Sequence, residues 1–521
     1  MKLLTFVVAL SAVSACHGAN ILYLSTVSSP SHFLWCKNIL NELHARGHNV
    51  TALSGDVDTS KQNLTYIHLE EMYPTVYEDG KEPDFFEYGN LSPAETFKLY
   101  AQFSEQACVG AVKSKGYKQL LNYPDNFKVD LVIYDFTMGP CPLGFVHKFG
   151  NPPIVGVSPF NELDRLARIS GALTYPAFVP AHDLLYTQRM SFLERINSVI
   201  THAMGIIAFK YFIVPSNDRV ARPYHPNAPY FEDIERQIGI FLINNNPLFD
   251  YQEPFYSNVR LVGGTQIKKP KTLPDDLKSF ADSSKNGLVY FSLGTNVRSD
   301  KLGEENIAKI FKVFSRLSQY NFLWKFETKD ALKNLPKNVK IQAWMPQNDV
   351  LAHQNTKLFM SHCGLLGSQE AMWYGVPILG FPVFGDQPQN AFRFKSLGVA
   401  EKMSIVNFTE TELYENIKNL MENPKYQTKM KSISRAFRDR LQTPLEESVY
   451  WIEWFMRHPE ADLQGPSAEL NIFVRHSIDV YFAFFIIISI FVYLDVKLII
   501  FLIKTFCCQN KTKTDKRKKR N

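Results

Sequence analysis

The sequence has little of what marks a metal site or a disulfide-rich scaffold. Its 521 residues include only seven cysteines, and no group of cysteines and histidines has the spacing of a zinc site. Three of the seven lie near the ends of the chain, Cys16 in an apolar leader and Cys507 and Cys508 in a basic tail. The other four show no paired spacing, so we predict neither a disulfide scaffold nor a metal centre; they are Cys36, Cys108, Cys141 and Cys363.

The chain also lacks a basic body, a low-complexity tract and an obvious internal repeat. The formal net charge is +6, but residues 504–521 hold eight Lys or Arg against one Asp. Everything before that tail is therefore close to neutral. A nucleic-acid-binding protein would carry its positive charge on the folded part, so we predict no nucleic-acid partner.

The N-terminus reads as a secretory signal peptide over residues 1–18. The stretch "MKLLTFVVALSAVSACHGAN" combines Lys2, an apolar run and small residues before a cut after Gly18. The alternative is a buried first strand. That alternative is disfavoured because a second apolar strand, "ILYLS", follows at once.

Near the C-terminus we predict one transmembrane helix over residues 476–503. The uncharged run from Val480 to Leu494 falls short of the roughly 20 residues that span a bilayer, so the helix is expected to continue past Asp495 and Lys497. A buried core helix is the alternative. The basic tail over 504–521 favours the membrane and, by the positive-inside rule, a type I topology with the tail in the cytosol and Cys507 and Cys508 at the membrane face.

Two kinds of short motif suit that topology. The final residues, "KKRN", resemble the dilysine signal that returns membrane proteins to the endoplasmic reticulum, although a membrane-surface tail is the simpler interpretation. Four Asn-x-Ser/Thr sites suit a lumenal body, and they begin at Asn49, Asn63, Asn90 and Asn407.

Between the two ends, apolar strands alternate with helical patterns in two separate cycles. The first runs through "ILYLS", "VTALS", "VDLVIYD" and "PPIVGVSP", and the second through "GLVYFSLGT", "NFLWKFE", "TKLFMSH" and "VPILGFP". Strands buried on both faces and alternating with helices indicate parallel sheets. We predict two facing doubly wound, Rossmann-like α/β domains over residues 19–245 and 265–440, joined by a Pro- and Asn-rich linker over 246–264. A returning helix and membrane-proximal segment follow over 441–475, with Trp451, Trp454 and Phe455 as anchors.

The densest cluster of unusual residues lies in "FMSHCGLLGSQEAMWYGVPILGFPVFGDQPQNA", residues 359–391. A strand ends at His362, and a glycine turn containing Gly364 leads into a helix. Free amides at a helix start bind phosphates, with Gly367 permitting close approach and Ser368 offering a hydroxyl. Glu370, deeper in the helix, suits sugar hydroxyls better. An ordinary strand–turn–helix is the plain alternative.

An aromatic residue stands earlier, in "AWMPQ". Trp344 at a strand end is either a core aromatic or a flat platform for a base, and Gln347 could donate to and accept from a base edge. By itself, the pattern favours the core.

Taken together, the segment from Trp344 through Gln387 resembles the signature of the UDP-glycosyltransferases, in particular the animal, membrane-anchored type and its arthropod branch. The resemblance covers essentially the whole chain and implies a GT-B arrangement of two facing domains. It implies that Trp344 and Gln347 hold uracil, Glu370 the ribose, and Asp386 with Gln387 the donor sugar. The diphosphate contacts implied are Ser292, Gly294, Thr295, His362, Gly364, Gly367 and Ser368. Many members carry Asn where Leu366 stands, so backbone amides must replace that contact here.

The resemblance also implies a catalytic pair in the first domain. His32, after the first strand, matches the catalytic base, and Asp135, ending "VDLVIYD", matches its partner carboxylate. Imidazole can remove a proton from a hydroxyl near neutral pH, and the carboxylate fixes its tautomer. A single displacement on an α-linked donor would give a β-linked product. Without the resemblance, His32 reads as a helix-start residue and Asp135 as a strand terminator.

The predicted activity is transfer of a hexose, with UDP-glucose favoured as co-substrate, to a small lipophilic acceptor at the endoplasmic reticulum membrane. Aromatic residues of the first domain are proposed to line the acceptor pocket, namely Phe85, Phe86, Tyr88, Phe160 and Tyr175. Glucuronic acid is the rival sugar, and a non-catalytic, membrane-anchored lipophile-binding homologue is the alternative from another class. No metal or other cofactor is expected, because no Asp-x-Asp lies between the domains. The oligomeric state, a homo-oligomer included, stays open.

Overall fold

The computed structural model describes residues 18–58, 64–77, 85–159, 163–328, 335–465, 467 and 469–518. The chain forms two compact units, Met1–Gly465 and Pro466–Asn521. The first unit holds two sheets, and the second holds the long apolar helix near the C-terminus.

The first sheet has seven parallel strands in the order β3-β2-β1-β4-β5-β6-β7. Its strands are β1 (Asn20–Leu24), β2 (Asn49–Ser54), β3 (Thr65–His68), β4 (Leu131–Asp135), β5 (Ile154–Ser158), β6 (Ile238–Ile243) and β7 (Val259–Leu261). Strands β4 and β5 are buried along their whole length, which explains their unbroken apolar sequences. Strand β7 falls within residues 246–264, which the sequence suggested to be a linker. Three residues between Pro- and Asn-rich loops leave too short a pattern to recognise.

The second sheet has six parallel strands in the order β10-β9-β8-β11-β12-β13. They are β8 (Leu288–Ser292), β9 (Asn321–Lys325), β10 (Val339–Gln342), β11 (Thr356–Ser361), β12 (Ile378–Gly380) and β13 (Ala400–Lys402). Counted from its own first strand, this is the 3-2-1-4-5-6 order of a dinucleotide-binding fold, and the first sheet repeats it with one strand added. The prediction of two Rossmann-like domains is confirmed.

Helices cover both sheets. Those of the first domain are α1 (Pro30–Ala45), α2 (Met72–Val76), α3 (Pro93–Lys113), α4 (Lys115–Leu121), α5 (Gly144–Lys148), α6 (Leu163–Ser170), α7 (Phe192–Ala208), α8 (Val214–Ala221) and α9 (Phe231–Glu235). Those that follow are α10 (Asp275–Ser283), α11 (Glu304–Arg316), α12 (Gln347–Ala352), α13 (Leu365–Tyr374), α14 (Gln387–Ser396), α15 (Glu410–Glu422), α16 (Pro424–Arg438), α17 (Pro444–Arg457), α18 (Ile472–Arg475) and α19 (Ile478–Lys518). Short 3₁₀ turns lie at Phe85–Asn90, Cys141–Leu143, Arg222–Tyr224 and Ser299–Lys301, and a π turn at Phe209–Ile213.

Helix α17 returns to the first sheet, as its sequence suggested. It begins with a capping box in which the Thr443 side chain and Glu446 exchange hydrogen bonds with each other's backbone amides. Phe455 is buried against Gly239 of β6, where a Cβ atom would meet the Phe455 ring at 2.1 Å. Trp451 and Trp454 are only partly buried. Phe455 is therefore the anchor, and the two tryptophans cover the edge.

A disulfide joins Cys108 on α3 to Cys141 at the turn after β4. The cysteine spacing did not predict this disulfide, because 33 residues and several elements separate the two cysteines. Cys36 and Cys363 are free and buried. This disulfide connects α3 to the loop after Asp135. The core is large and does not depend on cross-links, so the protein is not a disulfide scaffold.

The second unit is dominated by α19, which passes Asp495 and Lys497 without a break. Its residues 478–506 are long and apolar enough to cross a membrane, and none of that stretch is buried. In the first unit, the stretch Phe192–Tyr224 meets the same criteria of length and composition but is 39% buried. The predicted apolar helix at 476–503 is thus present.

Candidate active site

A cleft of about 810 Å³ opens between the carboxyl ends of the two sheets' strands. Both domains contribute to its lining, and its size is typical of small-molecule sites. In sheets of this order, ligands bind where the strand order reverses, which is between β1 and β4 in the first sheet and between β8 and β11 in the second. Most of the predicted site residues follow these four strands.

On the first domain, the reversal point holds His32 and Asp135. His32 lies in the first turn of α1, directly after the loop that follows β1, and Asp135 is the last residue of the neighbouring β4. The His32 Nδ1 atom is 3.6 Å from Asp135 Oδ2, within ion-pair range but longer than a hydrogen bond. Both residues are buried, and only His32 is among the described residues that line the cleft. The Thr137 amide donates to Asp135 Oδ1 at 3.1 Å and so fixes the carboxylate.

On the second domain, the reversal point holds glycines around one imidazole. A Cβ atom on Gly294 or Gly364 would meet the His362 ring at 2.4 Å, so both positions require glycine for the ring to fit. Gly294 also has φ +83°, a left-handed conformation that favours glycine. Burial and then the nearby Lys325 ammonium lower the pKa of His362 to about 4. The ring is therefore neutral at physiological pH.

Helix α13 directs its open amides at this point. Gly364 is its N-cap, so the amides of Leu365, Leu366 and Gly367 have no partner within the helix. The Ser368 amide, by contrast, donates to the Gly364 carbonyl at 3.1 Å, and the Ser368 hydroxyl donates to the same oxygen at 3.0 Å. Ser368 is buried and is not among the described residues lining the cleft. An anion at this helix would meet the three preceding amides.

At one end of the cleft lie the residues predicted to hold uridine. Trp344 lines the cleft and is 64% exposed, so it is not a core aromatic. Gln347 Nε2 donates to Glu370 Oε2 at 2.7 Å, which joins the predicted base contact to the predicted ribose contact. Burial raises the pKa of Glu370 to about 7, against the lowering effect of the Gln347 hydrogen bond.

At the other end, α14 begins with Asp386 as its N-cap and Gln387 as its first residue. The Gln387 Oε1 atom accepts from the amides of Val383 and Phe384 at 2.9 and 3.2 Å, which fixes the preceding loop. The Asn390 amide group donates to Asp386 Oδ2 at 2.6 Å. Both Asp386 and Gln387 line the cleft, where carboxylate and amide groups suit a polyol.

Two further polar residues support the site, and no local sequence pattern indicated either of them. Lys325, the last residue of β9, donates to the Gly294 carbonyl at 2.8 Å and pairs with Glu327 at 2.8 Å, so it holds the glycine loop. Gln266 links the two domains. Its side-chain Nε2 donates to the Leu366 carbonyl at 2.9 Å, and its backbone carbonyl accepts from Asn38 Nδ2 at 3.4 Å. Both are long-range contacts of ordinary polar residues.

The aromatic residues predicted for the acceptor pocket divide into several groups. Phe85 and Tyr88 line the cleft, and the Phe85 ring stacks on Phe384 of the second domain with centroids 4.3 Å apart. Phe86 packs against the second domain's core, Tyr175 contacts Phe178, and Phe160 lies outside the described residues. Apolar lining residues absent from the prediction include Leu34, Leu91, Phe97, Leu99, Tyr100, Phe103 and Met138.

Of the predicted glycosylation sites, the three that the structure describes are not among the residues lining this cleft. Asn49 and Asn407 are exposed, Asn90 ends a 3₁₀ turn, and Asn63 lies outside the described residues. Within the described parts of the chain, no group of three His, Cys, Asp or Glu side chains could hold a metal ion.

Comparison with known proteins bears on this site. The family model "UDP-glucoronosyl and UDP-glucosyl transferase" matches residues 21–518. UDP-glycosyltransferase UGT5 of Dactylopius coccus is 30% identical over 506 residues, covering 95% of this chain and 94% of that protein. UDP-glucuronosyltransferase 2C1 of Oryctolagus cuniculus is 29% identical over 513 residues, covering 94% and 99%. Among solved structures, the glycosyltransferase VinC in complex with DTDP has a TM-score of 0.56 at 17% identity, covering 84% of this chain and 100% of that one, and so shares the fold.

Proposed function

The chain belongs to the UDP-glucuronosyl and UDP-glucosyl transferase family and is a glycosyltransferase, and we propose that it transfers glucose from UDP-glucose, with inversion, to a hydroxyl of a small lipophilic acceptor. The observation that carries this proposal is the buried pair of His32 and Asp135, 3.6 Å apart, in which His32 lines the same cleft as the glycine loops of the second domain. Transfer from a nucleotide sugar requires a general base on one side of the cleft and an anion-binding site on the other.

The reaction begins with His32 as general base. With Nδ1 turned to Asp135, the other ring nitrogen, Nε2, takes the acceptor's hydroxyl proton as that oxygen attacks the anomeric carbon. The bond from that carbon to the UDP oxygen breaks on the opposite face, so an α-linked donor gives a β-linked product. Asp135 stabilises the imidazolium that forms, as the carboxylate does in a hydrolase triad.

The second domain stabilises the departing diphosphate. The open amides of Leu365, Leu366 and Gly367 at the start of α13 supply hydrogen-bond donors and the positive end of a helix dipole. His362 is neutral, so it contributes a hydrogen bond rather than a charge. Donors already aimed at the developing charge need no rearrangement during the reaction.

The acceptor is proposed to be largely apolar, because Leu34, Phe97, Tyr100, Phe103 and Met138 line the first domain's part of the cleft. A small phenol, flavonoid or steroid would bury its ring system there and present a hydroxyl to His32. Glucuronic acid is the rival donor sugar, and relatives named for each of the two sugars are similarly distant from this chain.

We place the catalytic body in the lumen of the endoplasmic reticulum, anchored by α19. A disulfide between Cys108 and Cys141 suits an oxidising compartment, and the exposed Asn407 is available for glycosylation. In microsomes, the body should resist added protease until detergent is present, and endoglycosidase H should increase its electrophoretic mobility. Digestion of the body in intact vesicles would contradict a lumenal location.

The activity is tested on membranes that contain the full chain, supplied with UDP-glucose and UDP-glucuronic acid and a mixture of phenols, flavonoids and steroids. Mass spectrometry should detect a hexose adduct that is reduced roughly 10²–10⁴-fold in His32→Ala, the usual contribution of a general base. His44→Ala on the same helix, at its distal end, is the matched control and should keep the activity. UDP binding without any adduct would favour the non-catalytic alternative.

A further inference from the structure

A turn of the first domain, Ala181 to Leu184, is fastened to the start of α14. The Leu184 amide donates to the Ala181 carbonyl at 3.0 Å and so closes the turn. Gln389 Nε2 then donates to the carbonyls of Ala181 and Leu184 at 3.1 and 3.2 Å. Gln389 follows Asp386 by three residues, so the two corner residues of the turn, His182 and Asp183, are held beside the residues proposed to bind the donor sugar.

One carboxylate oxygen of Asp183, at this corner, has no hydrogen-bond donor among the described residues. Its side chain lines the cleft and is 13% exposed, and its Oδ1 lies 3.4 Å from His182 Nδ1. Its Oδ2 is buried and accepts no hydrogen bond from any described residue. A buried carboxylate oxygen without a donor is costly, and such an atom at the wall of a cleft fits a ligand that supplies the donor.

We propose that Asp183 is a further contact of the donor sugar, and that it selects a neutral hexose over a hexuronic acid. This inference rests on the proposed function, because it assigns the sugar to the cleft end formed by α14. Asp183 would accept a hydrogen bond from a sugar hydroxyl while Asp386 and Gln387 hold the sugar from the second domain. The two domains would then meet through the sugar itself.

The charges that line the cleft favour a neutral sugar at this end. Of the lining lysines, Lys268, Lys269 and Lys271 lie at the Trp344 end, since the backbones of Lys268 and Lys271 bond to Asn348 and Asp349 on α12. Lys325 is engaged by Glu327 and the Gly294 carbonyl.

On α14 itself, the Arg393 guanidinium pairs with Asp250 at 2.9 Å, and beside Asp183 the His182 imidazole has its Nδ1 3.4 Å from Asp183 Oδ1. A hexuronate carboxylate would therefore face two aspartates, Asp183 and Asp386, which line this end of the cleft, while the nearby Arg393 and His182 are already engaged by Asp250 and Asp183. Like charges at close range in a partly buried site disfavour binding.

Binding, rather than turnover, tests this inference. Titration calorimetry on the purified full chain in nanodiscs would give dissociation constants for UDP, UDP-glucose and UDP-glucuronic acid. The native chain should bind UDP-glucose at least tenfold more tightly than UDP-glucuronic acid. Asp183→Asn should weaken the binding of UDP-glucose roughly tenfold, since it replaces a charged hydrogen-bond acceptor with a neutral one. The dissociation constant of UDP should not change. The preference for the neutral sugar should fall in the same variant.

Two controls separate this role from a structural one. Asp125→Asn changes an aspartate at a turn of the same domain whose side chain is 91% exposed and pairs with Lys148, so all three constants should stay as in the native chain. Gln389→Ala removes the hydrogen bonds that hold the turn but keeps the Asp183 carboxylate. It should therefore weaken the binding of UDP-glucose less than Asp183→Asn does. Equal binding of the two sugar nucleotides by the native chain, or an unchanged UDP-glucose constant in Asp183→Asn, would overturn the inference. Lack of transfer to any acceptor would instead overturn the proposed function. The dissociation constants would still test whether Asp183 contacts the donor sugar.

Discussion

The two domains share one strand order but place different chemistry where that order reverses. In the first domain, His32 follows β1 and Asp135 ends β4; in the second, the loop with Gly294 follows β8 and His362 follows β11. Each reversal point thus holds one histidine. His32 faces a carboxylate at 3.6 Å, whereas His362 is enclosed by glycines and lies near Lys325.

The surroundings, rather than the residue type, decide what each imidazole can do. A carboxylate beside His32 stabilises the protonated ring, which a general base must form during the reaction. Burial and a lysine hold the pKa of His362 at about 4, so that ring stays neutral and serves as a hydrogen-bonding wall for an anion. In the proposed reaction, the first domain therefore contributes charged side chains and the second contributes backbone amides.

The largest effect is expected where charge is removed from the first domain. Asp135→Asn should lower the turnover number by roughly 10²–10⁴-fold, since the imidazolium loses its counter-charge and its fixed tautomer. The dissociation constant of UDP should not change, because the proposed diphosphate contacts lie in the other domain. Steady-state kinetics together with UDP calorimetry measure both quantities. A loss of UDP binding as large as the loss of turnover would end the proposed division of labour.

The reverse effect is expected from a change of backbone in the second domain. Gly294→Ala puts a Cβ atom 2.4 Å from the His362 ring, so the loop or the ring must move, and UDP binding should weaken by about 100-fold. Gly303→Ala is the matched control. Gly303 has φ +81°, close to the +83° of Gly294, yet its Cβ atom would meet nothing within 4 Å.

Gly303→Ala should lose roughly 1–3 kcal/mol of stability, because Gly303 combines φ +81° with ψ 149°, a backbone region essentially restricted to glycine. It should nevertheless keep its affinity for UDP, which only Gly294→Ala should lose. Thermal unfolding and UDP titration separate these effects. Equal loss of UDP affinity in the two variants would show that backbone strain, and not the fit around His362, decides binding.

Features formed by one continuous segment could be predicted from the sequence, whereas contacts between distant segments could not. The strands and helices that carry the site were predictable, because buried runs such as "LVIYD" and the glycine turn after His362 are continuous in sequence. The Cys108–Cys141 disulfide, the Lys325 contact with Gly294, and the contact of Gln389 with the turn at Ala181 join distant segments and leave no local pattern. Ser368 was predicted as a phosphate contact, but its amide is the first to be used by the helix itself.

A smaller effect is expected from the aromatic platform in the second domain. Trp344→Ala should weaken UDP-glucose binding about tenfold, within the range of roughly 1–3 kcal/mol for a base stacked on an aromatic ring. Its unfolding temperature should not fall, because Trp344 is 64% exposed and packs little. Trp344→Phe keeps a stacking face and should lose less affinity. A lower unfolding temperature in Trp344→Ala would show that the ring is structural after all.

The smallest effect concerns pH and distinguishes the second domain's carboxylate from that of the first. Burial raises the pKa of Glu370 to about 7, and its ionised form is the stronger acceptor for the ribose hydroxyls that it is proposed to bind. The affinity for UDP-glucose should therefore be constant above about pH 7 and fall by at most tenfold per pH unit below it. The charge of the donor's diphosphate diester does not change in this range, so the slope reports the protein.

Folding stability should respond with the opposite sign. Because the folded-state pKa of Glu370 lies above its ordinary value of 4.5, the folded chain binds more protons between pH 4.5 and 7, and its contribution to stability is lost as the pH rises through that window. Glu370→Gln should bind UDP-glucose more weakly at pH 8, and should be more stable there than the native chain. Calorimetric titration and thermal unfolding at pH 6 and 8 measure both. If the variant were less stable at pH 8, the cost of burying the charge would not explain the raised pKa, and Glu370 would be better understood as a structural partner of Gln347.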